Sequence, residues 1–137
     1  MQIDYNITFV CMSNTINIII AEDHPIYREA LQFILSKKSN YNVVAVATNG
    51  IELVELATKH NVDLILTDIE MPMLTGIEAV RILKEQDVKS KIIVLTLFAD
   101  DLCAQEMKMA GADFVFNKSI DGSVLFDCID SLSYLGR

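Results

Sequence analysis

The sequence predicts an α/β fold in which an open sheet of five parallel strands is covered by helices on both faces. Short apolar runs alternate with longer amphipathic segments along most of the 137 residues, beginning at Ile16. The runs contain almost no polar residues, as strands that are buried on both faces of a parallel sheet require. Five such repeats in about 120 residues suit one domain with one sheet.

The predicted strands are short and rich in β-branched residues, and a segment with a helical period follows each of them. The strands are Ile16–Ala21, Val43–Ala47, Val62–Thr67, Lys91–Thr96 and Asp113–Phe116. The helices are Pro25–Lys37, Gly50–His60, Gly76–Gln86, Asp100–Ala110 and Gly122–Ser133. In the first helix the period predicts one apolar face, made of Ile26, Ala30, Phe33 and Ile34.

The order of the strands in the sheet follows from the handedness of βα units. Right-handed crossovers favour the flavodoxin-like order 2-1-3-4-5, a three-layer sandwich, because the other common doubly wound order needs six strands. We assign residues 16–135 to this domain. Residues 1–15 stand outside the repeating pattern and are predicted to form an N-terminal extension.

The composition narrows the possible functions. The chain has 19 acidic and 11 basic residues, a net charge of −8, so we expect no direct binding to nucleic acid, whose phosphates repel it. No apolar run reaches the ~18 residues needed to span a bilayer, and the first residues lack the pattern of a secretory signal. Cys11, Cys103 and Cys128 show no metal-binding spacing and indicate reduced thiols. We therefore expect a cytoplasmic protein without membrane contact.

The candidate site residues stand where the predicted strands end. In open α/β sheets, ligands bind beyond the carboxyl ends of the strands. Glu22 and Asp23 follow the first strand, and Asp68 follows the third. Thr96 ends the fourth strand, and Lys118 follows the fifth. The predicted fold therefore brings three carboxylates, one hydroxyl and one ammonium to one edge of the sheet.

This set of groups suits phosphoryl transfer. Crowded carboxylates repel each other unless a cation joins them, and Mg²⁺ suits a site with few carboxylates and several waters. Lys118 and Thr96 can bind phosphoryl oxygens, and a carboxylate among them can act as the nucleophile. Each residue alone has an ordinary explanation, such as a helix cap, a turn or a surface charge. Their conjunction on one edge is what supports the prediction.

The same residues resemble the receiver domain of two-component response regulators, over roughly Ile16 to Leu135. The stretch VDLILTDIEMPMLTG at residues 62–76 is similar to the strand, phospho-acceptor aspartate, Met-Pro and glycine of that family. The further matches are the acidic pair Glu22-Asp23, the switch-strand residue Thr96, the junction Gly111-Ala-Asp113 and the lysine Lys118. The residues that follow Glu22 and Thr96 look most like receivers that precede LuxR/NarL-type helix-turn-helix domains.

This resemblance implies a phosphorylation-activated signalling switch. Asp68 would accept a phosphoryl group from a sensor histidine kinase or a phosphotransfer protein, and Lys118 and Thr96 would bind its oxygens. The implied Mg²⁺ ligands are the side chains of Asp23 and Asp68, the backbone carbonyl of Glu70, and Glu22 directly or through water. The protein would catalyse only its own phosphorylation and dephosphorylation. The face of helix 4, strand 5 and helix 5 would regulate an output domain or partner, in transcription by this likeness, and could form a homodimer.

Three positions depart from the family pattern. Val115 stands three residues before Lys118, where the family often has the Tyr or Phe that moves with the threonine. Ser119 stands where many members have Pro, so a cis bond before it is not expected. Glu70 places a carboxylate two residues beyond Asp68, where it could alter the lifetime of the phosphoryl group.

Three rival classes remain open to test. An enzyme of the haloacid-dehalogenase type also uses a nucleophilic aspartate and Mg²⁺, but it has a DxD pair after its first strand, where this chain has Glu22-Asp23-His24. A pseudo-receiver would keep the fold without the chemistry, and the complete set of site residues argues against it. A flavodoxin would need a Ser/Thr/Gly-rich phosphate loop after the first strand, which the sequence lacks.

Overall fold

A computed structural model describes residues 15–135, in which five strands alternate strictly with five helices. The strands are β1 (Ile16–Ala21), β2 (Tyr41–Ala47), β3 (Leu64–Thr67), β4 (Lys91–Thr96) and β5 (Phe114–Asn117). The helices are α1 (Pro25–Ser36), α2 (Gly50–Lys59), α3 (Gly76–Glu85), α4 (Asp101–Ala110) and α5 (Gly122–Leu135). The predicted N-terminal extension, apart from Thr15, lies outside the described residues. Across residues 15–135, every helix is too short or too polar to cross a bilayer.

The strands form one parallel sheet in the order β2-β1-β3-β4-β5, which confirms the predicted flavodoxin-like topology. Ala21 at the end of β1 is paired with Thr67 at the end of β3, and Thr67 is paired with Val94 in β4. Thr96, two residues further along β4, is paired with Asn117 at the end of β5. The inner strands therefore end almost level, and the loops that follow them start from one edge of the sheet.

Two aspartates start strand pairing at the opposite edge of the sheet. Asp63 Oδ2 accepts a hydrogen bond of 2.8 Å from the backbone N–H of Asn17. Asp113 Oδ2 accepts one of 2.8 Å from the backbone N–H of Ile92. A side chain thus takes the place of a main-chain acceptor, and β3 and β5 begin one or two residues later than the sequence predicts.

Apolar side chains on the two faces of the sheet form separate clusters. Ile19 packs with buried residues of α2, α3 and α4. Ile18 and Ile20, which point to the other face of β1, pack with buried residues of α1 and α5. The domain therefore has three layers, with helices covering both faces of the sheet as predicted.

Helix α1 corrects one prediction. Leu31 and Leu35 are buried, whereas Ile26 and Phe33, which were expected on the apolar face, are 76% and 65% exposed. The sheet-facing stripe continues with i, i+4 spacing to the half-buried Tyr27. Apolar residues surround most of this helix, so the helical period alone allows more than one face.

The loop between β3 and α3 reverses sharply beside the carboxyl edge of the sheet. Met73 has a φ of 73°, and the N–H of Leu74 donates to the carbonyl of Pro72 at 2.8 Å, which describes a γ-turn. Gly76 lies so close to Asp68 that an added Cβ would clash with the Asp68 carbonyl oxygen. The loop therefore returns to lie against the residue from which it starts.

Candidate functional site

Glu22 is buried at the end of β1, an uncommon position for a carboxylate. Only 2% of it is exposed, and its N–H donates to the Ala47 carbonyl of β2 at 3.0 Å. Its Oε2 accepts a hydrogen bond from the N–H of His24, the N-cap of α1, whose own side chain makes no capping bond. Burial raises the pKa of Glu22 despite hydrogen bonds from Lys118 and His24, and the charge of Asp68 adds to the rise.

Asp68 follows β3 directly and is also buried, with 7% of it exposed. Its N–H donates to the Ala21 carbonyl of β1 at 3.1 Å, and its Oδ1 accepts from the N–H of Ile69 at 2.6 Å. The Thr67 hydroxyl donates to the Asp68 carbonyl at 2.9 Å. The main chain and one carboxylate oxygen of Asp68 are thus fixed by the end of the strand, and Oδ2 faces Lys118.

Lys118 connects the two buried carboxylates. Its Nζ lies 2.8 Å from Glu22 Oε1 and 2.8 Å from Asp68 Oδ2, and its N–H donates to the Thr96 carbonyl at 2.9 Å. Burial alone would lower the pKa of Lys118, but the hydrogen bonds to Asp68 and Glu22 outweigh it and the pKa is raised. The lysine is therefore charged at neutral pH and offsets part of the negative charge around it.

The donor set at this edge fits a magnesium ion. One carboxylate oxygen from each of Glu22, Asp23 and Asp68 lies within 4.8 Å of the other two. Asp23 is exposed while the other two are buried, so a cation here could keep water on its outer side. Oxygen donors with several waters are the environment that Mg²⁺ favours.

Thr96 ends β4 and is 2% exposed. Its Oγ1 accepts a hydrogen bond of 3.4 Å from the N–H of Phe98, a long contact that is weak by the usual geometric standard. The hydroxyl can therefore give up this contact and donate its proton to an acceptor at little cost.

The two aromatic residues of β5, Phe114 and Phe116, do not take the place of the Tyr or Phe that the family often has at the position of Val115. Val115 is half-buried and packs against the cluster on the α2–α4 face. Phe114 and Phe116 stack on each other with ring centroids 5.8 Å apart, and Phe116 packs with the cluster on the α1–α5 face. Neither ring lies on the same face of β5 as Val115.

The other two departures from the family pattern are also in the described region. The Glu70 side chain is exposed. Burial raises the pKa of the Cys103 thiol, and the charges of Asp100, Glu106 and, least, Glu70 add to this rise. The peptide bond before Ser119 is trans.

Two residues of α1 contact the site, although the sequence analysis did not single them out. Arg28 Nη1 donates to the Glu22 carbonyl at 3.0 Å, and Lys118 Nζ lies 4.6 Å from the centroid of the Tyr27 ring. Both belong to the first turn of a helix that is separated from the end of β1 by only three residues. That position was the available signal, because such a turn must lie over the carboxyl edge of the sheet.

Comparisons with known proteins agree with this architecture. The family of the response regulator receiver domain matches residues 18–130. The transcriptional regulatory protein DegU of Brevibacillus brevis is 34% identical over 116 residues, which cover 85% of this chain and 49% of that protein. The nitrate/nitrite response regulator protein NarP of Escherichia coli (strain K12) is 30% identical over 112 residues, 82% of this chain and 52% of that protein.

A solved structure of a response regulator is also similar to this chain. The two-component response regulator of the LuxR family from Aurantimonas sp. SI85-9A1 superposes with a TM-score of 0.83 and is 29% identical. The match covers 88% of this chain and 86% of that one. The chain spans about half the length of DegU and NarP.

A flavodoxin-like sheet that gathers carboxylates and one lysine at the carboxyl ends of its strands defines a class of signalling switch. The chain belongs to the response regulator receiver domain family, and its relatives include LuxR/NarL-type transcriptional regulators of two-component systems.

Proposed function

We propose that Asp68 accepts a phosphoryl group from the phosphohistidine of a sensor histidine kinase or a phosphotransfer protein. The observation that supports this most directly is the position of Lys118, whose ammonium lies 2.8 Å from a buried Asp68 oxygen in a cluster of three carboxylates. Such an arrangement prepares a carboxylate nucleophile and a charge partner for the group that it receives.

The chemical step transfers the phosphoryl group between two nucleophiles. A carboxylate oxygen of Asp68 attacks the phosphorus, the bond to the imidazole nitrogen breaks, and its electron pair stays on the nitrogen. The ammonium of Lys118 then donates a hydrogen bond to a phosphoryl oxygen. It can do so because it has three N–H donors on a flexible stem. Thr96 gives up the weak contact with the Phe98 N–H and donates its hydroxyl to another phosphoryl oxygen.

The proposed magnesium ligands are Glu22, directly or through water, Asp23, Asp68 and the backbone carbonyl of Glu70. When bound, Mg²⁺ would neutralise negative charge on the phosphoryl oxygens. Because Glu22 and Asp68 also contact Lys118, the same carboxylates would hold both positive groups close to the incoming phosphate.

The proposed output is a change of the surface formed by α4, β5 and α5. Phosphorylation replaces the single negative charge of the Asp68 carboxylate with a bulkier phosphoryl group of charge about −1.5 to −2 beside the loop that leads into α4. This surface exposes Leu102 (66%), Met109 (84%) and Phe114 (38%), which favours a protein partner, an output domain or a second copy of the chain. By analogy with DegU and NarP, we place this output in the regulation of transcription, and the protein in the cytoplasm. Residues 16–135 would form the receiver unit.

The central test is phosphorylation of the wild type, Asp68→Asn and a matched control, Asp101→Asn, an exposed aspartate of α4. Acetyl phosphate or a phosphorylated kinase should add one phosphoryl group to the wild type and the control, and none to Asp68→Asn. A chelator should abolish the reaction. Intact mass is the readout, because the chain has no Trp. Labelling of Asp68→Asn, or a label that survives acid as a phosphoester would, contradicts the assignment.

The rivals and the homodimer are separable in the same preparation. Steady turnover of a small phosphate ester would support an enzyme of the haloacid-dehalogenase type, and a wild type that never labels would support a pseudo-receiver. Light scattering before and after phosphorylation tests the dimer, with Met109→Lys as the disrupting variant. A monomer in both states contradicts the dimer and leaves phosphorylation untouched.

A further inference from the structure

The ring of Tyr27 is a third contact of the Lys118 ammonium. Lys118 Nζ lies 4.6 Å from the ring centroid, within the distance at which the negative face of an aromatic ring attracts a cation. Only 9% of the Lys118 side chain is exposed. The ammonium is therefore enclosed by two carboxylates and one ring, and little water competes for it.

The ring belongs to the same corner of the fold as Glu22. Tyr27 is in the first turn of α1, and that turn is tied to Glu22 twice, by the N–H of His24 on Oε2 at 3.0 Å and by Arg28 Nη1 on the carbonyl at 3.0 Å. The second half of α1 is anchored by the buried side chains of Leu31 and Leu35. The backbone from which the ring projects is thus fixed by contacts that do not include Lys118.

Lys118 has two carboxylate partners at equal distance, and the reaction changes only one of them. When Asp68 becomes an acyl phosphate, its charge moves outward to the phosphoryl oxygens, while Glu22 keeps its charge in place. The flexible stem of Lys118 then allows the ammonium to leave its position between the two residues. The contact with the Tyr27 ring restricts that freedom, so the ammonium stays where it also contacts Asp68.

We infer that Tyr27 is a positioning residue that holds the Lys118 ammonium at Asp68 through the face of its ring. This inference rests on the proposed phosphorylation of Asp68 and adds to it a residue outside the strand ends. The competing explanation is that Tyr27 only packs against the apolar cluster on the α1–α5 face. The two differ in one respect: packing depends on the size of the ring, and the attraction depends on its electrons.

The test varies the electron density of the ring face while its shape changes little. Tyr27→Phe is the reference, and the same position is then filled with phenylalanines that carry one, three and five fluorine atoms. Tyr27→Leu removes the ring but keeps an apolar side chain. With acetyl phosphate, Tyr27→Phe should label Asp68 within about twofold of the wild-type rate. Each fluorination should slow labelling in steps, to a total loss on the order of tenfold, which Tyr27→Leu should match. The Mg²⁺ concentration for half-maximal rate should not change.

A second readout does not need phosphorylation. The ε-methylene protons of Lys118, assigned by comparison with Lys118→Arg, should show an upfield ring-current shift in the wild type and in Tyr27→Phe, and lose it in Tyr27→Leu. Thermal unfolding of every variant shows that each is folded at the assay temperature, and any variant that is not is replaced by Tyr27→Met.

The two hypotheses fail in different ways. A wild type that labels at Asp68, together with a flat rate across the fluorinated series, overturns the role of Tyr27 only. A wild type that does not label overturns the proposed function, and the proton shift then decides alone whether the ring contacts Lys118. A shift that is unchanged in Tyr27→Leu overturns the inference regardless of the rates.

Discussion

At the scale of single residues, the charge balance of the site depends on Lys118. Its ammonium is shared by Glu22 and Asp68, both almost completely buried, and both at 2.8 Å. Without it, three neighbouring carboxylates would have no positive partner among the described side chains of the cluster. The lysine therefore has a structural role before any phosphoryl group arrives.

Replacing Lys118 with Gln should lower the free energy of unfolding by about 3 kcal/mol in metal-free buffer at neutral pH, because two buried carboxylates lose their partner. The matched control is Lys89→Gln, which breaks an ion pair of 2.7 Å with Asp87 whose side chains are 83% and 81% exposed. That change should cost far less, because water screens an exposed ion pair. Urea denaturation measures both, and equal losses would show that burial of the Lys118 pair has no energetic effect.

We expect the negative charge of Glu70 to shorten the lifetime of the phosphoryl group on Asp68. Its exposed carboxylate lies two residues beyond Asp68, where it can repel a phosphoryl group or direct water toward it. Both effects shorten the phosphoryl lifetime. Glu70→Gln should therefore slow dephosphorylation by about two- to threefold, the size of a screened charge interaction near a surface. Glu55→Gln, on the exposed side of α2, is the control, and equal decay rates in Glu70→Gln and wild type would refute the effect.

At the scale of elements, the loop from β3 to α3 contains a strained residue that makes little use of its side chain. Met73 has a positive φ of 73° and is 74% exposed. A side chain at such a φ in a γ-turn costs on the order of 1 kcal/mol or more, which Gly avoids because it has no Cβ.

Met73→Gly should therefore raise the free energy of unfolding by about 1 kcal/mol, because the relief of strain exceeds the conformational entropy that Gly loses on folding. Met109→Gly is the comparison, because Met109 is 84% exposed in the regular helix α4 and Gly there should cost about 1 kcal/mol. Thermal or urea unfolding of both variants gives the answer, and a gain in Met109→Gly as large as that in Met73→Gly would point to a general effect of removing exposed Met.

Elements and their ends were predictable to different degrees from the sequence. The five strands and five helices follow from alternating apolar runs, and their pairing follows from the handedness of the crossovers. The predicted first residues of β3 and β5 were less accurate, because the side chains of Asp63 and Asp113 accept the hydrogen bonds at the start of the pairing. The prediction of the buried face of α1 was wrong, because apolar residues nearly surround that helix. Its packing in the cluster with β1 and α5 decides that Leu31 and Leu35 are the buried residues.

The candidate site was predictable where it lies at strand ends. Parallel strands finish at one edge, so Glu22, Asp68 and Lys118 had to lie near each other, and the structure places them at 2.8 Å contacts. Their roles in phosphorylation stay predictions. Tyr27 could not be predicted, since its contact depends on which way a side chain of the first helical turn points, and no local pattern fixes that direction.

At the scale of the whole molecule, the hydroxyl of Tyr41 connects the edge strand β2 with the last helix. Tyr41 is buried, its hydroxyl donates to Asp130 Oδ1 at 2.7 Å, and its ring meets Phe126 edge-on with centroids 5.9 Å apart. Burial and the hydrogen bond to Asp130 raise the pKa of the Tyr41 phenol, so the phenol stays protonated and can keep donating at neutral pH. The contact joins segments 89 residues apart.

Tyr41→Phe should lower the free energy of unfolding by about 1 kcal/mol, the lower part of the range for a charge-assisted hydrogen bond, because Asp130 is exposed and regains water. Asp130→Asn, which keeps an acceptor, should cost less. Urea denaturation with unchanged slope measures the loss. If Tyr41→Phe matches the wild type, the contact contributes nothing to holding α5 on the sheet.

The γ-turn at Met73 also limits how the gene could change. Eight residues, 68–75, lead from the end of β3 to the start of α3, and they double back until Gly76 lies against the carbonyl of Asp68 and Leu74 lies against Gly50. These close contacts leave no room for the loop to take up an extra residue or to span the same distance with one fewer. A single inserted or deleted codon there would displace either the Glu70 carbonyl or the start of α3, so we expect this segment to tolerate substitution but not a change of length.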